Sequence, residues 1–274
     1  MTLIELCQKI ELQEELAQMV LECAETLDFA LLSQHIEDLT VPELSENAFK
    51  SLGEKLGEDP RGAKMLTCYL KAALITHQKY KELGIDESIY VDTMKCFTRF
   101  CGECLERKDN LAFELGFWSY RHLNTNLIRI GTLEYEQLIK NGSLFISVHI
   151  PSDADLSAES LDYSFKTARA LLNEKFPACR TAPIYCESWL LSGELRDLLP
   201  AGSKILGFQS YFDIQRQNPV SKGALQYIFH RADCSDYNAL PENTSLQRKV
   251  KALLLEGGGI GTAYGVLKED EPKK

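Results

Sequence analysis

The chain has 274 residues, 45% hydrophobic and 26% charged, with a formal net charge of −10, which suits a globular protein with one large core or two modest ones. Residues 1 to 59 hold 14 Asp/Glu against Lys9, Lys50 and Lys55, a net of −11, while the remainder carries +1. That balance argues against nucleic acid and anionic membrane as partners, and the acidic segment reads as solvated helix faces.

In chain order, residues 3 to 31 read as one or two amphipathic helices, with Leu3, Leu6, Ile10, Leu16, Val20 and Leu27 as the stripe. Pro42 opens a short helix through Leu52. Gly57, Pro60 and Gly62 break the pattern before a long helix from Ala63 to Leu83, ended by Gly84. A further helix is predicted from Glu87 to Arg107, with Tyr90, Met94, Phe97, Cys101 and Cys104 on one face. The aromatic segment from Ala112 to Asn126 reads as a short helix at the seam between two halves.

The pattern then turns strand-like. Asn141-Gly142 lies between LEYEQLIK and SLFISVHI and favours a two-residue type I′ turn. Such a turn fixes the register, setting Glu136 opposite Ser147 and Glu134 opposite His149. On the second strand, Leu144, Ile146, Val148 and Ile150 share one face, and Phe145, Ser147 and His149 the other. A carboxylate facing an imidazole suits acid/base work; the same pair also suits a solvated cross-strand contact.

After the loop Pro151 to Leu156, Ser157 caps a helix through Lys175. Strands are predicted at Pro183 to Leu190, Lys204 to Ile214, Ala224 to His230 and Gly259 to Leu267. Helices are predicted at Ser192 to Leu199 and from Thr244 or Ser245 to Leu255, with a solvated, disordered tail, KEDEPKK. The fold class is therefore α+β: an all-helical N-terminal domain, residues 1–112, followed by a mixed β-sheet domain flanked by helices, residues 113–274.

No apolar run approaches the roughly 20 residues of a membrane span. The start, MTLIELCQKIELQEE, has no basic segment or small-residue cleavage site of the signal-peptide kind. Nine cysteines without a repeating spacing suit reduced thiols, and the expected location is the cytoplasm. Cys101 and Cys104 form a CxxC, but no second pair supports a metal site, and they continue a helix stripe, so they read as core thiols. The glycines from Gly257 to Gly261 follow a helix and open a strand, the reverse of a phosphate cradle. Cys186 beside Ser188 reads either as nucleophile and donor or as an inert buried thiol.

Four stretches carry a family resemblance: IRIGTLEYE (Ile128 to Glu136), VHIPSDADLS (Val148 to Ser157), CESWLL (Cys186 to Leu191) and LLPAGSKILGFQSYF (Leu198 to Phe212). With the helical first half, they resemble a bacterial acyltransferase-like family in which a helical domain precedes a GNAT-like domain. In that resemblance, the helix and strand from Thr244 to Leu267 are an addition to the GNAT core. The resemblance implies an acyl-CoA or other thioester as co-substrate, no metal, and a small-molecule amine or other acyl acceptor. The donor's pantetheine would lie between splayed strands, Leu144 to Ile150 and Pro183 to Leu190, against Val148, Ile150, Cys186 and Ser188. Its pyrophosphate would meet the loop Pro151 to Ser157, with Ser152 and Ser157. Glu134 and His149 would serve as base and partner, and Tyr185 or Tyr264 would protonate the leaving thiolate.

The loop departs from the family's Q/R-x-x-G-x-G/A pattern, having no Gly, Arg or Gln but Asp153 and Asp155. Two functions therefore stand: an N-acyltransferase, or a non-catalytic GNAT-like module that binds a ligand or a protein.

Overall fold

The computed structural model describes residues 1–218, 223–230 and 236–268, so the predicted tail lies outside the described residues apart from Lys268. Eight helices precede the sheet: α1 (Leu3–Lys9), α2 (Glu14–Thr26), α3 (Phe29–Asp38), α4 (Ser45–Leu56), α5 (Ala63–Leu83), α6 (Glu87–Met94), α7 (Cys96–Lys108) and α8 (Gly116–Leu123). Side-chain caps set several starts. Thr2 and Glu5 form a capping box, and Asp28 and Asp86 accept amides of α3 and α6. The first stretch holds three helices rather than two, and the helix predicted from Glu87 to Arg107 breaks at Lys95 into α6 and α7.

The long helix α5 is the hub. Its Tyr69 hydroxyl donates to the Gly116 carbonyl at 2.7 Å, and its Thr76 hydroxyl to that of Leu123 at 2.5 Å, tying both ends of α8 to it. Cys101 and Cys104 are buried with free thiols, as the helix stripe predicts.

The sheet is built from β1 (Leu127–Ile130), β2 (Leu133–Lys140), β3 (Ser143–His149), β4 (Ile184–Ser188), β5 (Phe212–Asn218) and β6 (Thr262–Leu267), in the order β1-β2-β3-β4-β6-β5. Among the described residues, only β3 and β4 pair in parallel; every other neighbour is antiparallel. Asn141 and Gly142 take φ of 52° and 76°, and the register sets Glu134 against His149 and Glu136 against Ser147, as the turn predicts. Between these strands lie α9 (Ala158–Lys175), α10 (Leu195–Leu198), α11 (Lys204–Ser210), α12 (Gly223–Phe229) and α13 (Ser245–Leu255).

One face of the sheet packs on α9, where the Tyr135 and Ser164 hydroxyls bond at 2.9 Å. The opposite face, with Glu134, Glu136 and His149, meets the first-half helices. On its edge, α6 docks on β1 as the Arg129 amide donates to Thr93 Oγ1 at 3.0 Å. One continuous apolar core runs from Leu3 to Ala263 through both halves, and a second gathers Leu195, Leu225, Ile228, Val250 and Leu254.

Three expectations are corrected. Lys204 to Ile214 is a helix followed by the start of β5, and Ala224 to His230 is mostly helix α12. The apolar positions explain both: Ile205 and Phe208 stand three apart, and Ala224, Leu225, Ile228 and Phe229 fall on one helical stripe. Ser203 caps α11 by accepting the Ile205 amide. The segment from Thr244 to Leu267 is no appendage, because β6 lies between β4 and β5 and completes the sheet.

Candidate functional site

The site lies where β3 and β4 separate. Their pairing is confined to Ile146 with Ile184 and Ser147 with Tyr185, although β3 continues to His149 and β4 to Ser188. Among the described residues, no pair joins Val148–Ile150 to Cys186–Ser188. Each strand stays paired on its far side, His149 to Glu134 on β2 and Ser188 to Ala263 on β6. The result is a wedge between two fixed edges, with main-chain groups of both strands turned into it.

His149 stands at the end of β3 beside this wedge. Its Nε2 lies 2.8 Å from Oε2 of Glu136, not of Glu134. This corrects the expected pair: Glu134 is its register partner, but the ring reaches diagonally along β2. Glu136 is 4% exposed, and its other oxygen lies 3.4 Å from Arg121 Nε of α8. Arg121 also covers the Trp118 ring at 4.0 Å, and that ring meets His149 edge-on at 5.3 Å. Carboxylate, imidazole, indole and guanidinium thus hold one another, with the imidazole a quarter exposed.

Glu134 turns inward. Arg99 Nη2 of α7 lies 2.6 Å from it, and His122 Nε2 of α8 3.5 Å. Burial opposes its charge, but His122 and Arg99 outweigh burial and hold the carboxyl well below the usual carboxylate range. Glu134 is therefore half of a buried ion pair, with no bond to His149.

The loop after β3 is more nearly balanced in charge than its sequence suggests. Arg129 Nη1 grips both oxygens of Asp153 at 2.9 Å. Asp155 receives Lys204 Nζ at 2.7 Å, the Ser157 amide at 3.1 Å, and the hydroxyls of Ser157 and Ser160. Lys204 first, then these hydroxyls, hold the Asp155 carboxyl well below its usual range. The carboxylate thus sits over the start of α9, where helix amides favour an anion. A shallow groove of about 460 Å³ beside the loop is lined by Arg129, Thr132, Asp153, Asp155, Ser160 and Tyr163, with neither His149 nor Glu136 in its wall.

The remaining expected residues divide. Ile150 and Ser188 are half-buried at the wedge, and the Ser188 hydroxyl accepts the Leu190 amide. Ser152 donates to Glu103 at 2.5 Å and Ser157 to Asp155 at 2.6 Å. The side chains of Val148 and Cys186 are in the core, and burial pushes the Cys186 thiol far up, which suits the inert-thiol reading and leaves only the main chain of these two residues to face the wedge. Tyr185 and Tyr264 stack 5.0 Å apart on the His149 face; Tyr185 is 2% exposed and Tyr264 half-buried. Sequence reasoning missed Arg99, Trp118, Arg121 and His122, which come from helices far along the chain. Glu136 alone had a signal, sharing the face of Glu134.

Among the described residues, no group of His, Cys, Asp and Glu is arranged to hold a metal ion, and no helix is long and apolar enough to cross a membrane.

Two family models match the chain: an N-acyltransferase N-terminal domain over residues 1–125 and a GNAT-like C-terminal domain over residues 105–267. No curated protein matches it. Among solved structures, an acyltransferase in complex with decanoyl-CoA and teicoplanin is similar with a TM-score of 0.78 at 19% identity, over 96% of this chain and 86% of that one. A mutant acyltransferase in complex with octanoyl-CoA has a TM-score of 0.78 at 18% identity, with the same coverage. At such identities the likeness is one of fold.

Proposed function

Since this chain belongs to the family with a GNAT-like C-terminal domain, we propose that it is an N-acyltransferase that moves an acyl group from acyl-CoA to the amine of a small molecule. The wedge between β3 and β4, with the His149–Glu136 pair at its edge, is the observation that carries this reading. Main-chain groups facing the wedge suit the amides of pantetheine, which pair as an added strand would. The fold-level relatives in complex with octanoyl-CoA and decanoyl-CoA support acyl-CoA as the donor class. The relative in complex with teicoplanin supports a small-molecule acceptor. The division into a helical unit, residues 1–112, and a sheet unit, residues 113–274, is part of the same reading.

In this mechanism, His149 removes a proton from the acceptor's ammonium, with Glu136 holding the ring and balancing its charge. The freed nitrogen bonds to the thioester carbonyl carbon, the carbon–sulfur bond breaks, the acylated nitrogen releases its remaining extra proton to water, and the thiolate leaves with a proton. Tyr264 is better placed than Tyr185 to give that proton, because it is the more open of the two. Arg121 fixes the Glu136 carboxylate so that one oxygen stays on His149.

The second reading, a ligand- or protein-binding module without transfer, is favoured by one observation: Asp155 sits where a pyrophosphate would meet α9. Thermal melting with acetyl-CoA, octanoyl-CoA and CoA, followed by thiol release in the presence of amines, decides between them. Saturation at about 100 times Kd stabilises by roughly 2.7 kcal/mol, several degrees for a chain of this size. A shift with amine-dependent thiol release supports transfer; a shift without release supports the binding module. No shift with any of the three would overturn acyl-CoA as donor.

A further inference from the structure

Arg99 reaches further than its ion pair with Glu134. It stands on α7, in the helical half, with its side chain 8% exposed. Nη2 is spent on Glu134 at 2.6 Å, while Nη1 lies 3.7 Å from Asp153 and Nε 3.7 Å from Glu103, and neither has a hydrogen-bond partner. Glu103 in turn accepts the Ser152 hydroxyl, and Arg129 grips Asp153 from the β1 side. One buried guanidinium therefore faces Asp153 of the loop after Pro151 and Glu103, the carboxylate of its own helix that holds Ser152.

We propose that Arg99 is a positioning residue for the donor loop, through which the helical half sets the height of residues 152 to 157 above the wedge. The proposal rests on the reading of that loop as part of the donor site. A guanidinium needed only for Glu134 would have its other N–H groups bonded or in water. Here they are dry, with Asp153 of the loop beside Nη1 and Glu103 of α7, which holds Ser152, beside Nε, each too far for a hydrogen bond and near enough for charge attraction. A movement of about 1 Å bringing Asp153 toward α7 would convert the Nη1 contact to a hydrogen bond, and Glu103 links Nε to the loop through Ser152, so the loop's position and the Arg99 fork are mechanically coupled. Lysine would keep the charge opposite Glu134 but lose the fork.

The test compares wild type with Arg99→Lys and Glu103→Gln. Backbone amide exchange is followed across the hairpin and residues 152–157, and KM is measured for acyl-CoA and for the acceptor. The expected result is faster exchange confined to the loop and a donor KM raised roughly tenfold, with kcat and acceptor KM near wild type, since the loop is read as holding the donor and not as touching the reacting atoms. Glu103→Gln leaves the buried Arg99–Glu134 pair intact and carries the test if Arg99→Lys melts early. Wild-type exchange in the loop of both variants overturns the proposal, as does a loss spread evenly over both substrates and the hairpin. If loop exchange rises but wild type binds no acyl-CoA, the donor reading fails and the positioning of the loop by Arg99 stands.

Discussion

His149 and Glu136 are bonded at 2.8 Å although they are not register partners, and the register partner Glu134 is held by Arg99 instead. Two carboxylates on one face of β2 thus have separate tasks, one toward the wedge and one toward the core. Replacement should separate them. His149→Ala and Glu136→Gln are expected to lower kcat about 10²- to 10⁴-fold with little loss of melting temperature. Wild-type turnover in either variant would remove the pair from the mechanism.

Glu134→Gln should act on stability. It leaves Arg99 buried without its counter-charge, a loss of about 3–5 kcal/mol at neutral pH. The sign of the pH dependence follows from the lowered carboxyl: its contribution is complete above the unfolded value of about 4.3 and fades as pH falls toward the folded value. Denaturant melts from pH 7 downward should show wild type losing stability in acid more steeply than Glu134→Gln. Parallel curves would count against a charged Glu134.

Asp155→Asn should strengthen binding of acyl-CoA. It removes a negative charge from the start of α9 while keeping an oxygen for the Ser157 amide. The expected fall in Kd is roughly threefold to tenfold at low salt, shrinking as salt is raised. Calorimetric titration at two ionic strengths measures it. An unchanged Kd would place the pyrophosphate away from α9.

The buried thiols should be inert. Burial pushes Cys101 and Cys68 up to about 12 and Cys7 to about 11, so thiolate is scarce in the native state. Alkylation at pH 8 followed by peptide mapping should leave Cys101 and Cys104 unmodified until denaturant is added. Rapid native labelling of that pair would contradict their place in the core.

Gly62→Ala should loosen the seam. Gly62 has φ of 66°, and an added Cβ would lie 2.0 Å from the Phe113 carbonyl oxygen, where the chain between α7 and α8 crosses the start of α5. Positive φ and overlap with rigid backbone together should cost about 3 kcal/mol or more. A melting temperature within a degree of wild type would refute this packing.

Local chemistry made parts of this fold legible. Asn141-Gly142 determined a turn, a register and the placement of four polar side chains, because a two-residue loop leaves no slack. Ser157 announced α9 by its cap. The misreadings come from short segments of ambiguous period: α11 and α12 are seven residues each, and Ile205 and Phe208 fall in helix α11, while Phe212 does begin a strand. The partner of His149 was legible only in part. Register placed it near two carboxylates, but Arg99 and Arg121, which decide between them, arrive from α7 and α8 through tertiary packing that no local pattern encodes.

The place of β6 bears on how the molecule is made. The sixth strand in chain order lies inside the sheet, between β4 and β5, so both neighbours wait for it. During synthesis, the helices and the β1–β3 hairpins can assemble early, while β4 is left with an open edge until Thr262–Leu267 emerges. One wall of the wedge is therefore the last part of the fold to become rigid. A ribosome-stalled chain ending near residue 255 should show a protected helical half and protected hairpins, with β4 still accessible to protease.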